Sequence, residues 1–324
     1  MPRLLSFILV LPVASALLLA GIETAPAAAF PERPIHLLVP YPPGGPNDVI
    51  ARLIANKLDE NFGKIIVDNR PGGNGDIAVA DVARAAPDGY TLVLPAMAYA
   101  VNPSLFADVG YTFDQFTPIS IVTEGPLILV VHPSLGVKSV EELIALAKRE
   151  PGKINYGSGG NGSSLHLAAE LFKSEAQVDF QHIPYKGTND MIADLLTGRV
   201  SLAFISPLVA KPYVARGDLV ALGITSDKRS ASWPDTPTIA EAGVPGYAMQ
   251  AWYAALAPKG TPSAVVDTLS DAVAKAVQSP EVSAKLQSLG NTPVGDTSAE
   301  AATMIVQEAK RWHDIVAAAG IKPE

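Results

Sequence analysis

The chain contains no cysteine. That excludes disulfides, Cys-based zinc sites, a thiol nucleophile and a lipidated cysteine anchor. An exported chain of 324 residues without disulfides fits a bacterial periplasm better than a eukaryotic secretory route. Positive charge is also short: 24 Lys and Arg stand against 32 Asp and Glu, a formal net charge of −8. No basic stripe is present to neutralise phosphates, which argues against nucleic acid as a partner. There is no Gly-x-Ser-x-Gly elbow, no His-Glu-x-x-His and no Walker A sequence. The histidines, at 36, 132, 166, 182 and 313, show no metal-ligand spacing. No catalytic residue, metal or cofactor is expected, and the chain does not read as an enzyme.

Long apolar runs are reduced to one. Arg3 precedes apolar Leu4–Ala20, and Ala27-Ala28-Ala29 offers a small-residue cleavage site before Phe30. Residues 1–29 therefore read as an export signal. The rival is an uncleaved anchor, since Leu4–Ile22 could almost span a bilayer. Pro12 and the alanine-rich stretch after Glu23 favour cleavage. The mature chain is expected to be soluble and periplasmic, long enough for one large domain or two of ordinary size.

Apolar runs then alternate with helical periodicity. Strand-like Ile35–Pro40 precedes a helix over Asn47–Phe62, with Ile50, Leu53, Ile54 and Leu58 on one face. Strand Lys64–Asn69, helix Gly75–Ala85 and strand Thr91–Leu94 follow. The pattern restarts with strands Ile119–Thr123 and Leu127–His132 and a helix Ser139–Arg149, where Ser139 and Glu142 form a capping box. Strands Lys153–Tyr156, Phe180–Pro184, Ser201–Ile205 and Leu219–Thr225 are expected next, with helices Ser163–Ser174 and Thr188–Leu196. A strand over Gln250–Ala257 and helices Ser263–Gln278, Pro280–Leu289 and Ser298–Ala319 complete the chain. Strand–helix alternation implies parallel sheets covered by helices.

Two glycine-rich segments each stand between a predicted strand and a predicted helix: Tyr41–Asp48 and Gly157–Ser164. A glycine loop that opens a helix presents bare N–H groups and the positive end of the helix dipole, a ready anion site. Neither loop holds Lys or Arg, so an anion there rests on dipoles and hydroxyls, which suits a carboxylate that must later be released. Gly44 and Gly45 permit a tight turn, Asn47 reads as an N-cap and Asp48 as a first-turn acid. Gly157, Gly159 and Gly162 spell the dinucleotide fingerprint, with Asp179 near the expected acid. Export and the clustered hydroxyls of Ser158, Ser163 and Ser164 favour a compact anion instead. His166 aligns with Ala169, Glu170 and Lys173, away from Leu165, Ala168 and Phe172. Its reading is therefore a solvated or Glu170-paired side chain, with ligand contact as the alternative. Lys186 is the only cation next to a strand-end loop and the candidate partner for a second carboxylate. Trp252-Tyr253 reads as core, with a wall against a ligand as the alternative.

The export signal, Val-Pro-Tyr-Pro-Pro-Gly-Gly-Pro-Asn-Asp, Val-Asp-Asn-Arg-Pro-Gly-Gly (67–73) and Ala-Ala-Pro-Asp-Gly-Tyr-Thr-Leu (85–92) form one series of motifs. Asn102-Pro103-Ser104-Leu105, the 157–168 segment, Pro184-Tyr185-Lys186-Gly187, Trp252-Tyr253 and 257–262 continue it. In this order the series resembles the tripartite tricarboxylate transporter substrate-binding proteins, also called the Bug receptors. The resemblance covers nearly the whole chain. It implies an α/β, two-lobed, periplasmic-binding-protein-like fold, with two mainly parallel sheets flanked by helices and a ligand cleft between lobes. Lobe one would be 30–123 with a C-terminal return of 226–324, and lobe two 124–225. The two loops would grip one carboxylate through N–H groups, hydroxyls and ordered water. Carried over, the first loop supplies Tyr41, Gly44, Gly45, Asn47 and Asp48, and the second Ser158, Gly159, Asn161, Gly162, Ser163 and Ser164. His166, Lys186, Gly187, Asn189 and Ser206 complete the set.

This chain departs from the family pattern at Ala203-Phe204-Ile205-Ser206, where many members carry an acid, and at Thr188-Asn189-Asp190, where small apolar residues are common. Both departures fall where the far end of the ligand would lie. The implied function is a monomeric receptor, without cofactor, for an aliphatic or aromatic mono- or dicarboxylate. It would deliver that solute to the membrane permease subunits of a tripartite transporter. The alternatives are a periplasmic α/β hydrolase and a ligand receptor for a membrane sensor.

Overall fold

The computed structural model describes residues 30–230, 232–319 and 321, and Pro31–Glu324 forms one compact unit. The expected export signal and its cleavage site lie outside the described residues or at their edge. The first sheet begins with β1 (Ile35–Val39), β2 (Ile65–Asn69), β3 (Thr91–Val93) and β4 (Phe116–Gly125), interleaved with α1 (Pro46–Asn61), α2 (Asp76–Ala83) and α3 (Ala98–Leu105). The second holds β5 (Ile128–Val131), β6 (Asn155–Ser158), β7 (Gln181–Pro184), β8 (Leu202–Ile205) and β9 (Val220–Ile224). Its helices are α4 (Val140–Arg149), α5 (Ser164–Ala176), α6 (Thr188–Leu196) and α7 (Pro207–Arg216). The chain then returns to the first sheet through β10 (Ala251–Pro258) and β11 (Thr292–Pro293), with α8 (Ser263–Gln278), α9 (Pro280–Ser288) and α10 (Ser298–Ala319).

Strand order is β11-β4-β10-β3-β1-β2 in one sheet and β7-β6-β8-β5-β9 in the other. Each sheet contains a parallel trio, centred on β1 in the first and on β6 in the second. The expected parallel pairing is confined to these trios. β10 runs antiparallel to β3 and β4, and β5 antiparallel to β8 and β9. Both sheets are therefore mixed. The central strands are buried: all of Ile128–Val131 and Leu202–Ile205, and Ile35 and Leu37–Val39 of β1. Ile50, Ile54 and Leu58 are buried on one face of α1, as the period required, while Leu53, expected on the same face, is only half-buried.

The chain passes between the sheets twice, from β4 to β5 and from β9 to β10. The two passages are tied together. Leu127 N–H donates to Thr225 Oγ1 at 2.7 Å, and Thr225 N–H donates to Leu127 O at 2.9 Å. The Thr225 side chain is fully buried.

Several elements differ from expectation. β6 is shifted two residues toward the C-terminus, so Gly157 and Ser158 belong to the strand. A Cβ on Gly157 would stand 2.6 Å from Met191 Cγ, and that close approach of α6 is what the glycine allows. α3 and α7 were not anticipated; both contain an internal proline, Pro103 and Pro212. The α4 capping box is half made. Ser139 Oγ accepts from Glu142 N–H at 3.2 Å, whereas Glu142 Oε2 accepts from Lys138 N–H at 2.7 Å.

Candidate functional site

Both glycine loops leave the C-terminal end of the central strand of a parallel trio, where open α/β sheets bind their ligands. From β1 the chain turns through Pro42-Pro43 and Gly44, whose φ of +79° suits glycine. Pro46 then opens α1 at its first position, behind Gly45 as N-cap. Asn47 is therefore inside the first turn and is not the expected cap. Asp48 turns back: its carboxylate accepts from Gly44 N–H at 2.9 Å, Arg52 Nε–H at 3.0 Å and Asn69 Nδ2–H at 2.9 Å. Burial alone would raise its pKa, but these partners hold it below the usual carboxylate range. Asn69 also donates to Tyr41 O at 3.0 Å. Asp48 and Asn69 thus shape the loop from behind.

The second loop is braced in the same way. Ser158 Oγ accepts from Gly160 N–H at 3.1 Å and lies 2.6 Å from His182 Nε2. His166 is buried, against the solvated reading, and its Nδ1 accepts from Gly162 N–H at 3.1 Å. Its ring stacks on His182, with centroids 4.4 Å apart, and His182 stacks on Tyr156 at 4.7 Å. Burial pushes His166 down to about 3 and His182 to about 4. Glu170, the partner expected for His166, instead accepts from Tyr156 O–H at 2.6 Å and Lys173 at 2.7 Å. From the first sheet's side, Asn74 Nδ2–H donates to Asn102 Oδ1 at 3.2 Å, and Asn102 Nδ2–H to Asp76 at 2.7 Å. Gly162 (φ +78°) faces this pair so closely that any Cβ would collide with Asn102 Oδ1.

Between the sheets these loops enclose a cavity of about 80 Å³. One water needs roughly 10–15 Å³ on that measure, so the space suits a short organic acid. Three helices open onto it: α1 with Gly45, Pro46 and Asn47; α5 with Ser163, Ser164 and Leu165; α6 with Gly187, Thr188, Asn189 and Asp190. Each N-terminus carries about half a positive charge and up to four N–H groups without helical partners. Ser163 caps α5, accepting from His166 N–H at 3.3 Å, but α1 and α6 begin at Gly45 and Gly187 with no side-chain cap. Asn47 is only 3% exposed, and neither its Oδ1 nor its Nδ2 has a hydrogen-bond partner. Buried polar groups are normally paired, so this amide fits a ligand that would complete it.

Tyr41, Ala96 and Tyr253 form the apolar side. Burial raises the pKa of both phenols, Tyr253 to about 12, so both stay protonated. Trp252, in contrast, is core, and its indole N–H donates to Glu308 at 3.4 Å.

Of the residues expected at the site, Tyr41, Gly45, Asn47, Gly159, Ser163, Ser164, Gly187 and Asn189 line this cavity. Asn161 and Lys186 line a neighbouring cavity of about 790 Å³, which shares Tyr41, Pro42, Gly159 and Asp190 with the first. Lys186 therefore does not line the smaller cavity. Gly44, Asp48, Ser158, Gly162, His166 and Ser206 line neither. The first five hold the loops in shape, and Ser206 begins α7 beyond β8. Sequence reasoning missed Ala96 as a lining residue and the supporting network of Asn74, Asp76 and Asn102; Pro42 and Asp190 lay in segments it had assigned to the ligand but were not named among the site residues. The motif Asn102-Pro103-Ser104-Leu105 was the one signal for that network.

A family model described as the tripartite tricarboxylate transporter family receptor matches residues 50–321. The structure of R. palustris Rpa4515 with adipate is similar with a TM-score of 0.87 and 37% identity, covering 91% of this chain and 100% of that one. The periplasmic binding protein BugD follows at 0.85 and 31%, with coverage of 91% and 100%. MatC (Rpa3494) from Rhodopseudomonas palustris, with bound malate, follows at 0.83 and 31%, with coverage of 89% and 100%. The matched family is one of receptors, not enzymes, and among the described residues no helix is long and apolar enough to cross a membrane. The chain belongs to the tripartite tricarboxylate transporter receptor family, the Bug-type periplasmic solute-binding proteins.

Proposed function

We propose that this chain is exported, cleaved before Phe30, and captures a small carboxylate in the cavity between its sheets for delivery to the permease subunits of a tripartite transporter. It would act as a monomer with two lobes, 30–123 plus 226–324 and 124–225. One carboxylate oxygen would sit against the uncapped start of α1 and the other against Ser164 and the start of α5. The observation that carries this reading is Asn47, a buried amide with no partner at the meeting point of three helix N-termini. The adipate and malate held by Rpa4515 and MatC support the same ligand chemistry.

Ser163 and Ser164 separate structure from binding. Ser163→Ala removes a helix cap and should lower stability by about 1 kcal/mol. Ser164→Ala should leave the melting curve unchanged while removing one hydrogen bond to a charged group. Such a bond is worth roughly 1.5–3 kcal/mol, a loss of affinity on the order of tenfold to a hundredfold. A thermal-shift panel of carboxylates, followed by titration calorimetry of both variants, checks this. Unchanged affinity in Ser164→Ala would refute the assignment of the carboxylate to α5.

A further inference from the structure

Charge around the cavity is uneven, which bears on the far end of a ligand whose carboxylate lies at α1 and α5; the inference rests on that placement. No Lys, Arg or His lines the cavity among the described residues, and one acid does: Asp190, in the first turn of α6. Asp48 holds the equivalent place in α1, but it is neutralised by Arg52 at 3.0 Å and does not line the cavity. Asp190 makes no ion pair among the described residues. A first-turn carboxylate cancels much of the local helix dipole. Beside its own uncapped N–H groups, the α6 end of the cavity therefore carries an unpaired acidic acceptor, which the α1 and α5 ends lack. Asn47 points the same way. A carboxylate can satisfy its Nδ2–H but not its Oδ1, which needs a donor that no protein group supplies.

We infer that the cavity takes a carboxylate whose far end donates hydrogen bonds, best of all an ammonium, and that Asp190 turns away a second carboxylate. A dianion would place its second charge beside Asp190 with no side-chain cation to compensate. Lys186, the residue expected to serve that purpose, lines only the neighbouring cavity, which Asp190 borders as well. Specificity then lies partly in what the site repels. On this inference the chain differs in ligand class from its adipate-bound relative.

The test is titration calorimetry of the mature protein with straight-chain acids of four to six carbons in three forms: monocarboxylate, dicarboxylate and ω-amino acid. At the chain length that binds best, the ω-amino acid should bind at least on the order of tenfold more tightly than the dicarboxylate, since a close like-charge against opposite-charge difference exceeds that even at the dielectric of water. Asp190→Asn should bring the two to within about threefold, mainly by strengthening the dicarboxylate. A dicarboxylate that binds as tightly as the amino acid, or a preference that Asp190→Asn leaves unmoved, overturns the inference while the carboxylate reading stands. Binding of none of the acids overturns both.

Discussion

A proline opens α1 at position 46, where its missing N–H has no helical partner to lose. That single residue moves the cap back to Gly45 and carries Asn47 into the cavity wall, so the residue that looked like a cap becomes an unpaired amide facing the ligand space. His166 is displaced from its expected role in the opposite sense, from surface to buried support. Both histidines in its stack have folded pKa values below the ordinary 6.5, at about 3 and about 4. A neutral buried histidine stabilises fully above pH 6.5, and that contribution is lost as pH falls toward the folded values. Asp76, raised to about 6 by burial, acts with the opposite sign between about 4 and 6. His166→Gln should therefore flatten the acid side of the stability curve. Urea unfolding at pH 7.5, 6 and 5 for both proteins measures it, and parallel curves would show that His166 does not titrate on unfolding.

Among the elements, the two passages between the sheets are coupled most directly, through the Leu127–Thr225 hydrogen bonds. Thr225→Val keeps the shape but leaves Leu127 N–H buried and unpaired, at a cost of about 1–3 kcal/mol. Its melting temperature should fall. A carboxylate touching loops on both sheets would favour a closed arrangement of the two proposed lobes by differential contact, so small-angle scattering of parent and variant alike is expected to show a smaller radius of gyration on addition of ligand. A variant that no longer contracts would make this pair part of the closing motion itself. Most elements were legible because their signals are local: the 3.6-residue stripe of α1, the unbroken apolar run of β5, the Ser139 cap. α3 was hidden because Pro103 argues against a helix. The structure accommodates it with a distant residue, since the Tyr99 carbonyl freed by the proline accepts from Tyr111 O–H at 3.0 Å. The candidate site was legible as two loops, through their glycines and hydroxyls. Which loop residues face inward was not: Ser158 is committed to His182 and His166 to Gly162 N–H, contacts no charge-pair spacing reveals. The i,i+4 pair of Asp48 with Arg52 stood open to reading and went unread.

At the scale of the molecule, the motif series pointed to the family, but the way the chain is shared between sheets is visible only in the strand order. β10 lies between β4 and β3, so the first sheet exists as two unconnected pieces until Ala251–Pro258 takes its place. The second sheet is drawn entirely from residues 128–224. For a chain threaded across a membrane from its N-terminus, emergence and completion then run in different orders. The part that emerges first, β1 to β4, must wait with β3 and β4 exposing open edges, a state prone to wrong pairing. The part that emerges second has the shorter loops to close and can finish alone. In pulsed hydrogen exchange during refolding of the mature chain, amides of β5–β9 should become protected before those joining β3 and β4 to β10. Simultaneous protection would show that the two sheets assemble as one cooperative unit. If the order holds, the late strand is also the point at which a chaperone of the export route has most to protect, a waiting time set by the distance along the chain from Val93 to Ala251.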